Sequence, residues 1–456
     1  MTGRHVLFVA WWFPPLTGGG VHRPLQFVRH LVRRGYRVTV LTGAPARGER
    51  RDDGLLAKVP PEARIVRAPL ADPFRAWDAL KRWSGRRPAD GAAAAAGAPA
   101  NGSAAPRWRD VVSEAFALPD RWLAWIPVAT AKAALALRGD EPDLVFSTSP
   151  PHSAHLVGVA LRGLFRAPLV VDFRDPWIGN PFRAYASERG RRLDAALERR
   201  VVGEAAQVIL NTAALERAFR RRHDVGARAR TIANGFDPED FDGLPPPAGG
   251  GTPGAVEVAH FGQLYGLRSG RFLLQALARL KETDAGGYAR LRVVFHGSID
   301  GEAAFRAQAD ALGVAGALVI AGALPHAQAL ARQRASDVLL VLGPEHADAE
   351  VQVPAKLYEY LAAGRPILSL SRAGGAIEET LRAAAVPFER AEPDDPDAIA
   401  AALARTVQGR SVRGRAAPAD SMHGPGPGAE AFRYDRLTDR LVECFEDAWA
   451  GRPARG

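Results

Sequence analysis

Lys356 and Glu359 stand one helical turn apart within residues 351–370, VQVPAKLYEYLAAGRPILSL. The segment reads as a loop ending at Pro354, a short helix over 355–363, a glycine stop at Gly364 and an apolar strand from Pro366. Leu357, Tyr360 and Leu361 recur at i, i+3, i+4 and form the buried face, which leaves Glu359 outside it. Near a helix start the backbone N–H groups lack partners and the dipole favours an anion, so a diphosphate suits the space beside Lys356. The bland alternative is a solvated glutamate next to a lysine.

Three other stretches carry chemistry-bearing side chains. Gly18, Gly19 and Gly20 lie between the first strand and the first helix, where absent Cβ atoms let backbone N–H groups approach a ligand. They do not spell GxGxxG, and a tight turn explains them equally well. Arg23, on the first turn of that helix, either clamps an anion or faces solvent. STSPPHSAH (147–155) and DFRDPW (172–177) each close a strand at the carboxyl-end edge of a sheet, where α/β proteins bind ligands. Asp172, Arg174 and Asp175 are either a working cluster or an ion-paired strand end. His152 and His155 are either functional or capping and core histidines. Trp122 and Trp125, with Arg121 beside them, suit a bilayer headgroup layer, a lipid-linked acceptor or simply the core.

These loops need a scaffold of alternating strands and helices. Residues 4–12 read as a strand, 21–34 as a helix stopped by Gly35, and 36–42 as a second strand. Strands follow at 64–69, 143–147, 168–173 and 207–210, the last set among charged helices over 187–223. After TIANGFDPEDF, the stretch LPPPAGGGTPG (244–254) is a linker. The pattern restarts with a strand at 256–261, the loop GQLYGLRSGR, a helix at 272–280 and strands at 291–297, 318–320 and 337–342. The expected fold is α/β, with two Rossmann-like parallel-sheet domains facing an inter-domain cleft. Their expected bounds are 1–243, with a mobile Ala/Gly/Pro insert at about 84–106, and 255–428, with a flexible insert at about 409–428. An amphipathic helix within 429–456, carrying Cys444, is placed to cross back to the first domain.

The chain has 456 residues, 47% of them hydrophobic, enough for two cores. One cysteine excludes a disulfide framework and a thiolate zinc cluster and fits a reducing cytoplasm. The apolar run at the start, about seven residues, is too short for a signal h-region or a membrane span of about twenty. The expected location is cytoplasmic, peripheral to the inner membrane face at most. The net charge of +10 favours nucleotide phosphates, lipid pyrophosphates or an anionic bilayer, and no nucleic-acid motif accompanies it. Neither an Asp-x-Asp motif nor a His/Cys/Asp cluster with ligand spacing is present, so no metal or other cofactor is expected.

P-x-K-x-x-E-Y-L-A-x-G-x-P-I-L resembles the donor segment of retaining GT-B glycosyltransferases, family 4. STSPPHSAH and DFRDPW resemble loops of a bacterial subgroup of that family, and Asn234-Gly235-Phe236-Asp237 resembles the family's hallmark at the domain junction. The resemblance implies a nucleotide-sugar donor as co-substrate, transfer to a glycan or lipid-pyrophosphate-linked acceptor, and a role in cell-surface polysaccharide or glycoconjugate synthesis. It implies ribose contacts for Glu359, diphosphate contacts for Lys356 and for Arg268 in the loop opened by Gly262, and donor contacts for Gly19 and Gly20. It places Arg174, Asp175 and His152 at the reaction centre, with Arg23 and Trp122 on the acceptor side. An arginine cannot deprotonate a hydroxyl at neutral pH, so the carboxylate of Asp175, or His152, is the group to assist the acceptor. The chain departs from the family at Val351, where a second glutamate is usual, at Arg174, where histidine is frequent, and at Gln263, where arginine is frequent. Two rivals use the same features: a nucleotide-sugar epimerase, and a catalytically idle nucleotide-sugar-binding protein.

Overall fold

The computed structural model describes residues 3–46, 51–70, 118–246, 254–346, 350–413 and 426–451. The chain divides into two compact units, Met1–Ile232 with Thr438–Gly456, and Ala233–Leu437. The expected insert at 84–106 and the middle of the expected linker lie outside the described residues.

In the first unit the elements are β1 His5–Val9, α1 His22–Arg33, β2 Arg37–Gly43, α2 Asp53–Ala57, β3 Arg64–Ala68, α3 Trp125–Ala136 and β4 Leu144–Ser149. They continue with α4 Ser153–Phe165, β5 Leu169–Phe173, α5 Glu188–Glu204, β6 Gln207–Leu210, α6 Ala213–Arg222 and β7 Ala229–Thr231. The seven strands pair in parallel in the order β3-β2-β1-β4-β5-β6-β7. Every residue of β1, β4, β5 and β6 is buried, the mark of a sheet covered on both faces. Strand order reverses between β1 and β4, so the Gly18–Gly20 turn and STSPPHSAH leave the sheet at its switch point.

The second unit contains β8 Val256–Phe261, α7 Arg271–Thr283, α8 Ala285–Arg290, β9 Leu291–His296, α9 Glu302–Ala311, β10 Leu318–Ile320 and α10 His326–Ala335. Next come β11 Val338–Leu342, α11 Lys356–Ala363, β12 Ile367–Leu370, α12 Ala376–Ala383, β13 Phe388–Ala391, α13 Pro396–Arg413 and α14 Tyr434–Ala450. Its six strands are also parallel, in the order β10-β9-β8-β11-β12-β13, with the switch point between β8 and β11. α13 runs through Gly409 to Arg413, where the sequence suggests an insert; residues 414–425 lie outside the described residues. Gly426 and Gly428 are packed, since a Cβ on Gly428 would lie 2.2 Å from the Ala383 carbonyl oxygen.

α14 starts in the second unit, and from Thr438 onward it belongs to the first. There Trp449 stacks on Tyr36 at 6.3 Å and donates its indole N–H to the Asp143 carbonyl at 3.0 Å. Cys444 is fully buried, and burial pushes its thiol pKa up to about 12.

Candidate functional site

In the second unit the site starts where β8 ends. Gly262 adopts φ +100°, which glycine accepts without strain, and a Cβ there would lie 2.9 Å from Lys356 Nζ. Its carbonyl also packs against Gly297, where a Cβ would meet that oxygen at 2.1 Å. Lys356 opens α11, and its Nζ lies 3.0 Å from His260 Nε2. His260 Nδ1 lies 2.9 Å from the Leu340 carbonyl oxygen, which only accepts, so Nδ1 carries the proton and Nε2 accepts from the lysine. Burial, with the neighbouring Lys356 charge, holds His260 well below its ordinary pKa and neutral. Lys356 in turn is pushed down to about 7, first by burial and then by the Arg268 charge, against the weaker pull of Glu359. The sequence-predicted residues Gly262, Arg268, Lys356 and Glu359 are therefore brought within electrostatic reach of one another. A lysine deprived of hydration beside a second cation regains its full charge when an anion arrives.

Arg268 is partly buried, and its Nη1 donates to the Tyr265 hydroxyl at 3.3 Å. Glu359 is held from α10: His326 Nε2 lies 3.0 Å from Oε1, and Gln333 Nε2 donates to Oε2 at 3.1 Å. Leu357, Tyr360 and Leu361 are buried as their spacing indicates, and Tyr360 also accepts the Phe261 N–H at 2.9 Å through its hydroxyl. The Gly374 N–H at the start of α12 is met by Glu378 Oε2 at 2.7 Å, so this turn is closed by the protein's own carboxylate. Gln263, in place of the expected arginine, donates to Asp300 at 2.8 Å.

In the first unit two sequence assignments need correction. Arg23 neither clamps an external anion nor faces solvent. It is 2% exposed, its Nε and Nη2 donate to Asp172 at 3.0 and 2.7 Å, and Nη2 also donates to the Ile232 carbonyl at 2.8 Å. Asp172 is fully buried on β5 and accepts a third bond from Thr148 at 2.7 Å, so it demands a cation, and Arg23 supplies it. Arg174 is likewise a fastener: its guanidinium donates to the carbonyls of Ser149, Gly20 and Pro150 at 2.8, 2.6 and 2.8 Å. One arginine thus ties the glycine turn and the STSPP loop to β5.

His152 is 6% exposed, stacks on Trp177 at 4.6 Å with a 10° interplanar angle, and is held well below its ordinary pKa by burial and by His155. Asp175 alone among Asp172, Arg174, Asp175 and His152 is partly exposed. In the glycine turn only Gly18 has positive φ, +121°; a Cβ on Gly20 would crowd Trp12 at 3.1 Å, and one on Gly19 meets nothing. Trp122 sits among Trp11 and Trp12, at 5.8 and 6.1 Å, with Arg121 4.2 Å over its ring. Asp120, which sequence reading passes over, links this cluster to α4 by accepting from the Trp122 N–H and from Ser153 N and Oγ at 3.0, 3.0 and 2.6 Å.

Among the described residues no group of three or more His, Cys, Asp or Glu side chains is placed to hold a metal ion, and no helix is long and apolar enough to cross a membrane.

Solved structures share this architecture. The chain is similar to a sucrose-phosphate synthase from Thermosynechococcus elongatus, with a TM-score of 0.63 and 14% identity over 98% of this chain and 100% of that one. It is similar also to Anabaena Alr3699/HepE in complex with UDP and glucose, with a TM-score of 0.59 and 16% identity over 97% and 99%. The fold is GT-B. A third GT-B neighbour is the lipopolysaccharide outer core galactosyltransferase WaaB, with a TM-score of 0.56 and 12% identity over 97% and 99%. In sequence, residues 90–240 match the family model Glycosyltransferase Family 4, a span that covers STSPPHSAH, DFRDPW and NGFD. A search of the curated proteins finds no match.

Proposed function

We propose that the chain is a glycosyltransferase that takes a hexosyl unit from a nucleotide-sugar donor and passes it, with retention, to a glycan or lipid-pyrophosphate-linked acceptor in cell-surface polysaccharide synthesis. The observation that carries this reading is the pairing of Lys356 and Arg268 beside Gly262 at the end of β8, with Lys356 pKa held near 7. Two cations near a close-approach glycine suit a diphosphate. As the bond from the sugar to the diphosphate breaks, the electron pair leaves with the phosphate oxygen, and this charge pair stabilises it. Glu359, oriented by His326 and Gln333, is the carboxylate for the ribose hydroxyls. Asp175 orients the acceptor hydroxyl. The neighbour HepE is solved in complex with UDP and with UDP-glucose, which makes those nucleotides the first probes.

The proposed reaction draws its leaving-group charge from these side chains and needs no divalent ion, so turnover should survive excess EDTA. Its proposed place is the cytoplasm or the inner membrane face. The test is release of nucleoside diphosphate from a panel of nucleotide sugars, which a transferase accelerates only when acceptor is supplied. A second reading, nucleotide-sugar binding without turnover, is favoured by Val351 and by the engagement of Arg174 with three carbonyls. Binding without release under any acceptor would select it, and conversion of donor without acceptor would select an epimerase.

A further inference from the structure

The segment 174–187 joins β5 to α5 without a strand or helix of its own, and it begins with Arg174 and Asp175. An irregular connection of this length holds one shape only if something outside it satisfies its polar groups. That something is a pair of carboxylates on α5. Asp194 and Glu198, four residues apart on one helix face, are both buried, at 0% and 1% exposure. Asp194 Oδ1 accepts the Trp177 indole N–H at 2.8 Å, and Oδ2 accepts the Tyr185 hydroxyl at 2.6 Å and pairs with Arg183 at 3.0 Å. Glu198 Oε2 accepts the Ile178 backbone N–H at 2.9 Å, while Oε1 lies 2.8 Å from His223 Nε2. Four groups of the loop, spread from 177 to 185, therefore converge on two buried anions. A helix face that served packing alone would carry leucine or valine there, since burying carboxylates is costly unless every oxygen is satisfied. The anchored Trp177 stacks on His152 at the start of α4 and lies two residues after Asp175.

We propose that Asp194 and Glu198 are positioning residues that fix the loop 174–187 in the form that presents Asp175, and thereby set turnover without touching the donor. The proposal rests on the reading of the chain as a sugar transferase, but its structural half is measured separately. The full chain, with Asp194→Asn, Glu198→Gln and the milder Tyr185→Phe, is examined by hydrogen exchange of the peptide 175–187 and by UDP release from UDP-glucose in the presence of a glycan or lipid-pyrophosphate acceptor. Exchange in that peptide should accelerate by about tenfold or more in Asp194→Asn and by less in Tyr185→Phe, with the rest of the chain unchanged. Turnover should fall by about tenfold or more, with KM for the donor within about twofold of wild type. A merely structural role would lower the yield of folded protein and leave kcat per folded molecule intact. Unchanged exchange in Tyr185→Phe and Glu198→Gln, or a loosened loop with wild-type kcat, overturns the proposal. If the wild type turns over no nucleotide sugar, the functional reading fails by itself, and the exchange data still decide whether these carboxylates hold the loop.

Discussion

Lys356 is where the account is most exposed to measurement. In the free protein its amine titrates near pH 7 rather than at the ordinary lysine value of 10.5. Between these values the unfolded chain holds more protons than the folded one, so this group's contribution to stability rises with pH across that window. A bound diphosphate favours the charged amine, so donor binding takes up a proton above pH 7, and affinity falls by up to about tenfold per pH unit there. Calorimetric titration at pH 8 in two buffers of different ionisation enthalpy should show different apparent heats, and identical heats would remove the lysine from the phosphate site. Arg268→Ala should lose contacts worth about 1.5–3 kcal/mol, seen as a raised donor Kd. Asp175→Asn should lower kcat and leave donor affinity nearly intact. At this scale the sequence discloses the cations, because residue type and helical spacing do so. It hides His260, His326 and Gln333, because each meets its partner from a strand or helix distant in the chain. It misreads Arg23 for the same reason: Asp172, its counter-ion, is 149 residues away.

At the scale of elements, α11 and the NGFD junction show what the glycines and the tyrosine contribute. The Tyr360 hydroxyl accepts the Phe261 N–H immediately before Gly262, so α11 is fastened to the very strand end that leads into the loop carrying Gly262 and Arg268. Tyr360→Phe leaves that buried N–H without its acceptor and should cost about 1–3 kcal/mol in denaturant unfolding, with a weaker donor Kd alongside. At the junction, Phe236 N–H donates to the Phe432 carbonyl at 3.0 Å, and a Cβ on Gly235 would lie 2.2 Å from that same oxygen. Gly235→Ala should therefore destabilise by about 1–3 kcal/mol, measured as a lowered denaturant midpoint. Long elements with a clear apolar period, such as α1, α7 and α14, are legible to within a few residues. α9 is not, because only Phe305 and Ala309 of its ten residues are buried and the rest is alanine, one glutamine and charge.

For the whole molecule, buried neutral histidines set the acid limit. Burial lowers the pKa of His155 to about 3 and of His296 to about 4, and holds His152 and His260 well down. Each is neutral when folded and protonates when unfolded, so the stability they permit is present above pH 6.5 and is lost as pH falls toward those values. Each group steepens the loss by about 1.4 kcal/mol per pH unit in that window. Melting temperature should fall sharply below pH 6.5, and His155→Asn should make the fall shallower. The central claim is that cations of the second unit hold a donor diphosphate, and one measurement addresses it directly: thermal unfolding with UDP-glucose, other nucleotide sugars and nucleoside diphosphates, in wild type and in the Lys356→Ala/Arg268→Ala double variant. The account predicts that at least one nucleotide sugar and its nucleoside diphosphate raise the wild-type melting temperature in proportion to affinity, and that the double variant loses this shift. Equal shifts in both proteins, or none in the wild type with any nucleotide, would contradict it.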